Sequence, residues 1–130
     1  MKLRIKGNVG NSIRLRILRS ELTELMTTGR IAETVRFGAN DESVLTYALE
    51  VQSGLTALEV RHEPREIRIL LPLQQATSWA ETDRVGIYET VSLGAEGALE
   101  IIVEKDFACL DQSDADNHDT FENPQVGEVC

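Results

Sequence analysis

The sequence predicts an α+β domain, in which duplicated β-α-β-β(-β) units form a strongly curved antiparallel sheet or small incomplete barrel carrying two helices. Three observations support this. Most of the chain up to residue 105 alternates apolar and polar residues at period two, the pattern of strands with one buried and one wet face. Two short stretches, after residues 18 and 71, change to the three-to-four spacing of an amphipathic helix. The order of elements also repeats. Setting Ile13 on Ile67 (67 − 13 = 54) aligns Arg14 with Arg68, Thr23 with Thr77, Thr28 with Thr82 and Arg30 with Arg84, so residues 13–51 and 67–105 read as one strand–helix–strand–strand unit used twice.

Residues 2–6 and 12–18 alternate basic and apolar side chains, and "GNVGN" between them supplies the Gly and Asn that a positive-φ hairpin turn needs. Ser20 is expected to cap a helix with Glu21 and Glu24 in its first turn, where the helix dipole favours anions. Leu22, Leu25 and Met26 form its apolar stripe and Gly29 closes it. A strand at 31–37 leads through "GAND" to two longer strands, 43–52 and 55–63. A further strand, 66–71, precedes a helix that Pro72 starts and that runs to about Glu81. Strands at 85–91 and 98–105 flank "GAEG". That makes eight strands and two helices in a domain spanning 1–105, with an acidic tail over 106–130.

Composition narrows the function classes. A chain of 130 residues, 42% hydrophobic and 27% charged, is one ordinary folded domain, and with only 5% aromatics its core must be Leu, Ile and Val. The longest apolar run, "ILLPL", is far short of a membrane helix, and "MKLRIKG" lacks the apolar block of a signal peptide. Two cysteines, Cys109 and Cys130, make no disulfide framework, so a cytoplasmic protein is expected. The net charge of −9 argues against a nucleic-acid partner. That charge is uneven: Lys2, Arg4, Lys6, Arg14, Arg16 and Arg19 precede the first acid, whereas Lys105 is the last base before a run of acids. The tail is therefore expected to lie near the basic first hairpin from Asp106 to Pro124, with Phe121 as its anchor.

Several stretches carry a resemblance: "KLRIKGN" and "SIRLRIL" at the start, "VGIYET", "EKDFACL", and "FENP" after the acidic stretch. Together they resemble a group of small bacterial proteins classed as a domain of unknown function. The likeness spans nearly the whole chain and implies no activity. The order of elements is also similar to that of the CYTH-like, or triphosphate tunnel, superfamily. That topology implies a barrel whose charged lumen binds polyphosphate and metal. The superfamily begins with Glu-x-Glu-x-Lys, and this chain has "KLRIK" there.

The polar strand face gives the site candidates. Arginines suit an oxyanion and carboxylates a divalent cation. The anion-binding candidates are Arg4, Arg14, Arg16, Arg61 and Arg68, and the acidic candidates are Glu59, Glu100 and Glu104. The alternation is equally that of a solvated sheet face. In the tail, Cys109, Asp111, Asp114, Asp116, His118 and Asp119 are potential ligands, but a calcium loop starting at Asp114 lacks its Gly and its final Glu, and a Cys-x-x-Cys pair is missing. No metal or cofactor is expected. His62 and Cys109 have no neighbours suggesting a nucleophilic site. The expected function is a small binding or interaction protein, monomeric or dimeric, taking an unknown protein or a small anionic ligand. The alternative, a metal-dependent phosphohydrolase or polyphosphate binder, follows from the tunnel resemblance.

Overall fold

The computed structural model describes residues 1–107 and 119–121. In chain order, β1 (Lys2–Lys6) and β2 (Ser12–Ile17) lead to α1 (Arg19–Thr28), followed by β3 (Arg30–Arg36) and β4 (Val44–Gln52). Then come β5 (Glu59–Glu63), β6 (Glu66–Pro72), α2 (Leu73–Glu81), β7 (Gly86–Ser92) and β8 (Ala98–Lys105). Eight strands and two α-helices over the described residues agree with the period-two and helical patterns of the sequence.

Their assembly differs from the single curved antiparallel sheet or incomplete barrel that the sequence suggests. The strands form two open, mixed sheets of four, ordered β1-β2-β8-β7 (sheet A) and β3-β4-β6-β5 (sheet B). Neighbours in sequence pair as antiparallel hairpins: β1 with β2, β3 with β4, β5 with β6 and β7 with β8. The helical crossovers then set β2 beside β8 and β4 beside β6 in parallel. Each sheet thus takes one hairpin from the first four strands and one from the last four. A strand's alternation fixes which side is buried but not which sheet it joins, so the sequence alone leaves this partition open.

The inner faces of both sheets and the apolar stripes of both helices share one core. Ile13, Leu15 and Ile17 of β2, Ile101 and Val103 of β8, Leu49 of β4 and Ile69 and Leu71 of β6 meet Leu22 and Leu25 of α1 and Ala76 and Trp79 of α2. Trp79 is fully buried, and its indole N–H donates to the Val85 carbonyl at 3.1 Å, which satisfies the ring's one polar atom. Gly29 ends α1 at φ 85°, a conformation that suits glycine, and its N–H donates to the Leu25 carbonyl.

Local differences have local causes. The fifth strand is shorter than the alternation over 55–63 suggests, because the turn at Ser53–Gly54 is followed by irregular chain as far as Leu58. Helix α1 begins at Arg19, so Ser20 lies inside its first turn instead of capping it. The cap comes from far along the chain. Asp119 accepts from the Ser20 N–H at 2.9 Å and from the Ser20 hydroxyl, and its carbonyl accepts from the Arg19 N–H.

Phe121 follows, packed on the core edge and set edge-on against Phe107. Its N–H donates to the Asp106 carbonyl, and the Arg19 guanidinium lies over its ring at 4.9 Å. The described part of the tail therefore docks at the β2–α1 junction, not over the basic outer face of the hairpin. The expectations for Cys109, Asp111, Asp114, Asp116, His118, Pro124 and Cys130 lie outside the described residues.

Candidate functional site

Side chains that alternate with the core residues form the other face of each sheet, on which Leu70 and Ala48 are buried, and strand register sorts them into rows. Across sheet A, in the order β1, β2, β8, β7, the rows are Lys2–Arg16–Glu104–Gly86, Arg4–Arg14–Ile102–Tyr88 and Lys6–Ser12–Glu100–Thr90. Across sheet B, in the order β5, β6, β4, β3, they are Glu59–Leu70–Glu50–Arg30, Arg61–Arg68–Ala48–Ala32 and Glu63–Glu66–Thr46–Thr34. Each sheet has a central arginine pair, Arg4–Arg14 or Arg61–Arg68, directly across the hairpin.

The surroundings of the two pairs differ. In sheet B, Arg68 reaches Glu66 (3.1 Å), Glu50 (3.6 Å) and Glu63 (3.8 Å), Arg30 reaches Glu50 and Glu66, and Arg61 reaches Glu59 (3.3 Å). The network is closed: each of those three arginines has a carboxylate. In sheet A the positions of Glu59 and Glu63 are held by Lys2 and Lys6, that of Glu66 by Ser12 and that of Leu70 by Arg16. Five cations (Lys2, Arg4, Lys6, Arg14, Arg16) then share a face with two carboxylates, Glu100 and Glu104.

Arg14 Nε lies 3.1 Å from Glu104, as Arg68 Nε does from Glu66, and both are close enough to pair by charge but out of line for a hydrogen bond. Lys2 reaches Asp106, just past β8, at 3.2 Å. Glu104 also accepts from the Tyr88 hydroxyl at 3.1 Å. Tyr88 is 54% exposed, and partial burial followed by the Glu104 charge raises its pKa. Among the described residues, Arg4, Lys6 and Arg16 have no ion pair. Arg4, Lys6, Ser12, Arg14 and Glu100 line a depression of about 230 Å³.

The sequence candidates therefore separate. Arg4, Arg14 and Arg16 come together with Glu100 and Glu104 on sheet A. Arg61, Arg68 and Glu59 lie on the outer face of the other sheet. Among the described residues no three His, Cys, Asp or Glu side chains gather as a metal-ligating group, and no helix is long and apolar enough to cross a membrane.

A family model described as a family of unknown function, DUF7009, matches residues 1–125. The chain belongs to that family. No curated protein and no solved structure matches it.

Within this DUF7009 chain, sequence reasoning misses polar groups that act across long separations. The Met1 amino group is buried against Glu21 and Glu33. Tyr47 donates to Glu33 at 2.7 Å, with the Met1 carbonyl at 3.0 Å. Burial, and then the Glu33 carboxylate, push the Tyr47 pKa up to about 12. Lys105 is buried at the other end of the core, donates to the Thr82 carbonyl at 2.7 Å and faces the Phe121 ring at 5.5 Å. Burial lowers its pKa. The visible signal for Lys105 was its place in the inward phase of β8, opposite Ile17.

Proposed function

We propose that this DUF7009 chain is a binding protein whose outer face of sheet A takes an anionic surface of a partner protein. The excess of cations on that face supports the reading, in a chain whose net charge is −9. Like charges placed side by side across a hairpin cost stability. An anionic partner would offset that cost, as Glu59, Glu63 and Glu66 offset it for Arg61 and Arg68. The same reading takes residues 13–51 and 67–105 as copies of one unit whose outer faces have diverged in charge; the matching hairpins β3–β4 and β7–β8 support it. The polyphosphate reading asks for an enclosed cationic lumen, and the cations here lie on an open face, so the protein partner is favoured.

Calorimetric titration with poly-glutamate at low salt tests this, with tripolyphosphate plus magnesium as the competing ligand. Binding should weaken about tenfold in the Arg4→Ala/Lys6→Ala double variant and remain unchanged in Arg61→Ala. Absence of binding, or equal loss in Arg61→Ala, would overturn the proposal. Binding and hydrolysis of tripolyphosphate alone would move the protein to the phosphohydrolase class.

A further inference from the structure

We infer that the partner enters as an extended segment that adds to sheet A along β1, with acidic and apolar residues in alternation. The inference rests on the proposal above and names the form its partner takes. β1 is the outer strand of sheet A, and among the described residues no segment pairs with its far side. An outer strand presents a row of unpaired backbone N–H and C=O groups, which an extended peptide can satisfy.

The side chains beside that edge favour one pattern. Arg4 and Lys6 point outward without an ion pair among the described residues, and Ile5 on the inward side is 58% exposed. A strand laid against β1 would place its side chains alternately on the same two sides. Carboxylates would meet Arg4 and Lys6, and an apolar residue between them would cover Ile5.

The other three edges are occupied differently. On β5, Arg61 is already paired with Glu59, and Val60 packs on the core. On β7, Tyr88 is bonded to Glu104, and Ile87 is fully buried. On β3, Arg30 is held by Glu50, Arg36 by the carbonyls of Gly38 and Asn40, and Thr34 by Thr46. Among the described residues, β1 sets two cations without an ion pair, Arg4 and Lys6, around an exposed apolar side chain, whereas β3 has one, Arg36, already bonded to two carbonyls beside Val35, which is 40% exposed.

Edge lysines commonly serve to keep a second sheet away. Here they also select. An antiparallel pairing of β1 with a second copy, centred on Arg4, would set Arg4 against Arg4 and Lys2 against Lys6. Self-association through this edge is therefore opposed, and an acidic strand is favoured.

Three synthetic peptides test the inference by fluorescence anisotropy at low salt. The first alternates Glu and Val, the second has the same composition with all Glu before all Val, and the third is the first N-methylated at alternate residues. Only the first should bind well, with the others weaker by about tenfold or more, and β1 amides should gain protection from hydrogen exchange when it binds. Arg4→Glu and, separately, Lys6→Glu should remove binding, and both side chains are exposed, so the fold should tolerate either change. Equal binding of the N-methylated peptide, or no gain in β1 protection, would overturn strand addition. If all three peptides bind alike and Arg4→Glu abolishes each, the anionic-partner reading survives and strand addition fails. If none binds, both fail.

Discussion

The outer faces of sheets A and B share a frame and differ in charge. Both have an arginine pair across the hairpin that leads into a helix, flanked by one row on each side. In sheet B the flanking places hold glutamates, and the arginines are neutralised within the fold. In sheet A those places hold lysines, a serine and an arginine. The comparison shows that a wet, charged sheet face is not by itself a site. What distinguishes a candidate binding face from a solvated one is charge that the described residues leave unmatched.

The sharpest break of this comparison is at its most neutralised arginine. Arg68 is 22% exposed and serves Glu50, Glu63 and Glu66, of which Glu50 is 13% exposed. Arg68→Ala should cost about 2 kcal/mol in urea unfolding, because it leaves half-buried carboxylates without their cation. Arg4→Ala in sheet A should stay within about 0.5 kcal/mol. Equal costs would mean that the two faces are energetically alike.

The inner faces offer the next test. Tyr47 in sheet B lies in the row His62–Ile67–Tyr47–Glu33, and Ile101 holds the matching place in the sheet A row Ile5–Ile13–Ile101–Glu89. Tyr47→Phe should cost about 1 kcal/mol through loss of the hydroxyl's bond to Glu33. It should also change the alkaline limb. The folded-state pKa is raised from 10.0 to about 12, so the neutral hydroxyl contributes stability that is complete below pH 10 and is lost as pH rises through 12. Unfolding curves between pH 9 and 12 should fall more steeply for the native protein than for Tyr47→Phe. Parallel curves would show that Tyr47 is not the titrating group.

The helices differ as well: α1 is capped by Asp119, whereas α2 follows directly from Pro72 with no side-chain cap. Asp119→Ala should lower the melting temperature, at a cost of about 1 kcal/mol, and Phe121→Ala should speed proteolysis beyond residue 107. Unaltered cleavage would show that Phe121 is no anchor. The smallest effect should come from giving sheet A the sheet B pattern. Lys6→Glu, placing a carboxylate where β5 has Glu63, should stabilise by about 0.5 kcal/mol while removing anion binding. Destabilisation would mean that Lys6 has a structural partner.

Strands and helices were legible because their signals are local: β2 alternates inward Ile13, Leu15 and Ile17 with outward Arg14 and Arg16, and α1 spaces Leu22 and Leu25 one turn apart. The α1 cap was not legible, because Ser20 is a good local capping residue and only the docked tail brings Asp119 to its amide. The site was legible in kind but not in grouping. Arg14 and Arg68 occupy matching places in identical Ile-Arg dipeptides, and the dipeptide does not tell that, among the described residues, Arg68 has Glu50, Glu63 and Glu66 around it whereas Arg14 has Glu104 alone. That difference comes in part from the partner strand of each hairpin, β1 with Lys2 and Lys6 and β5 with Glu59 and Glu63.

The exchange of hairpins between the sheets also orders the events of folding. In sheet B the parallel pair joins Thr46 to Glu66, 20 positions apart (66 − 46). In sheet A it joins Ser12 to Glu100, 88 positions apart (100 − 12). Closing the longer loop costs more chain entropy, and pairings distant in sequence form late. On a ribosome, every strand of sheet B has been synthesised by residue 72, whereas β2 must wait for β8. Sheet A is then the later of the two sheets to be completed, although its five outer cations already stand together on the β1–β2 hairpin.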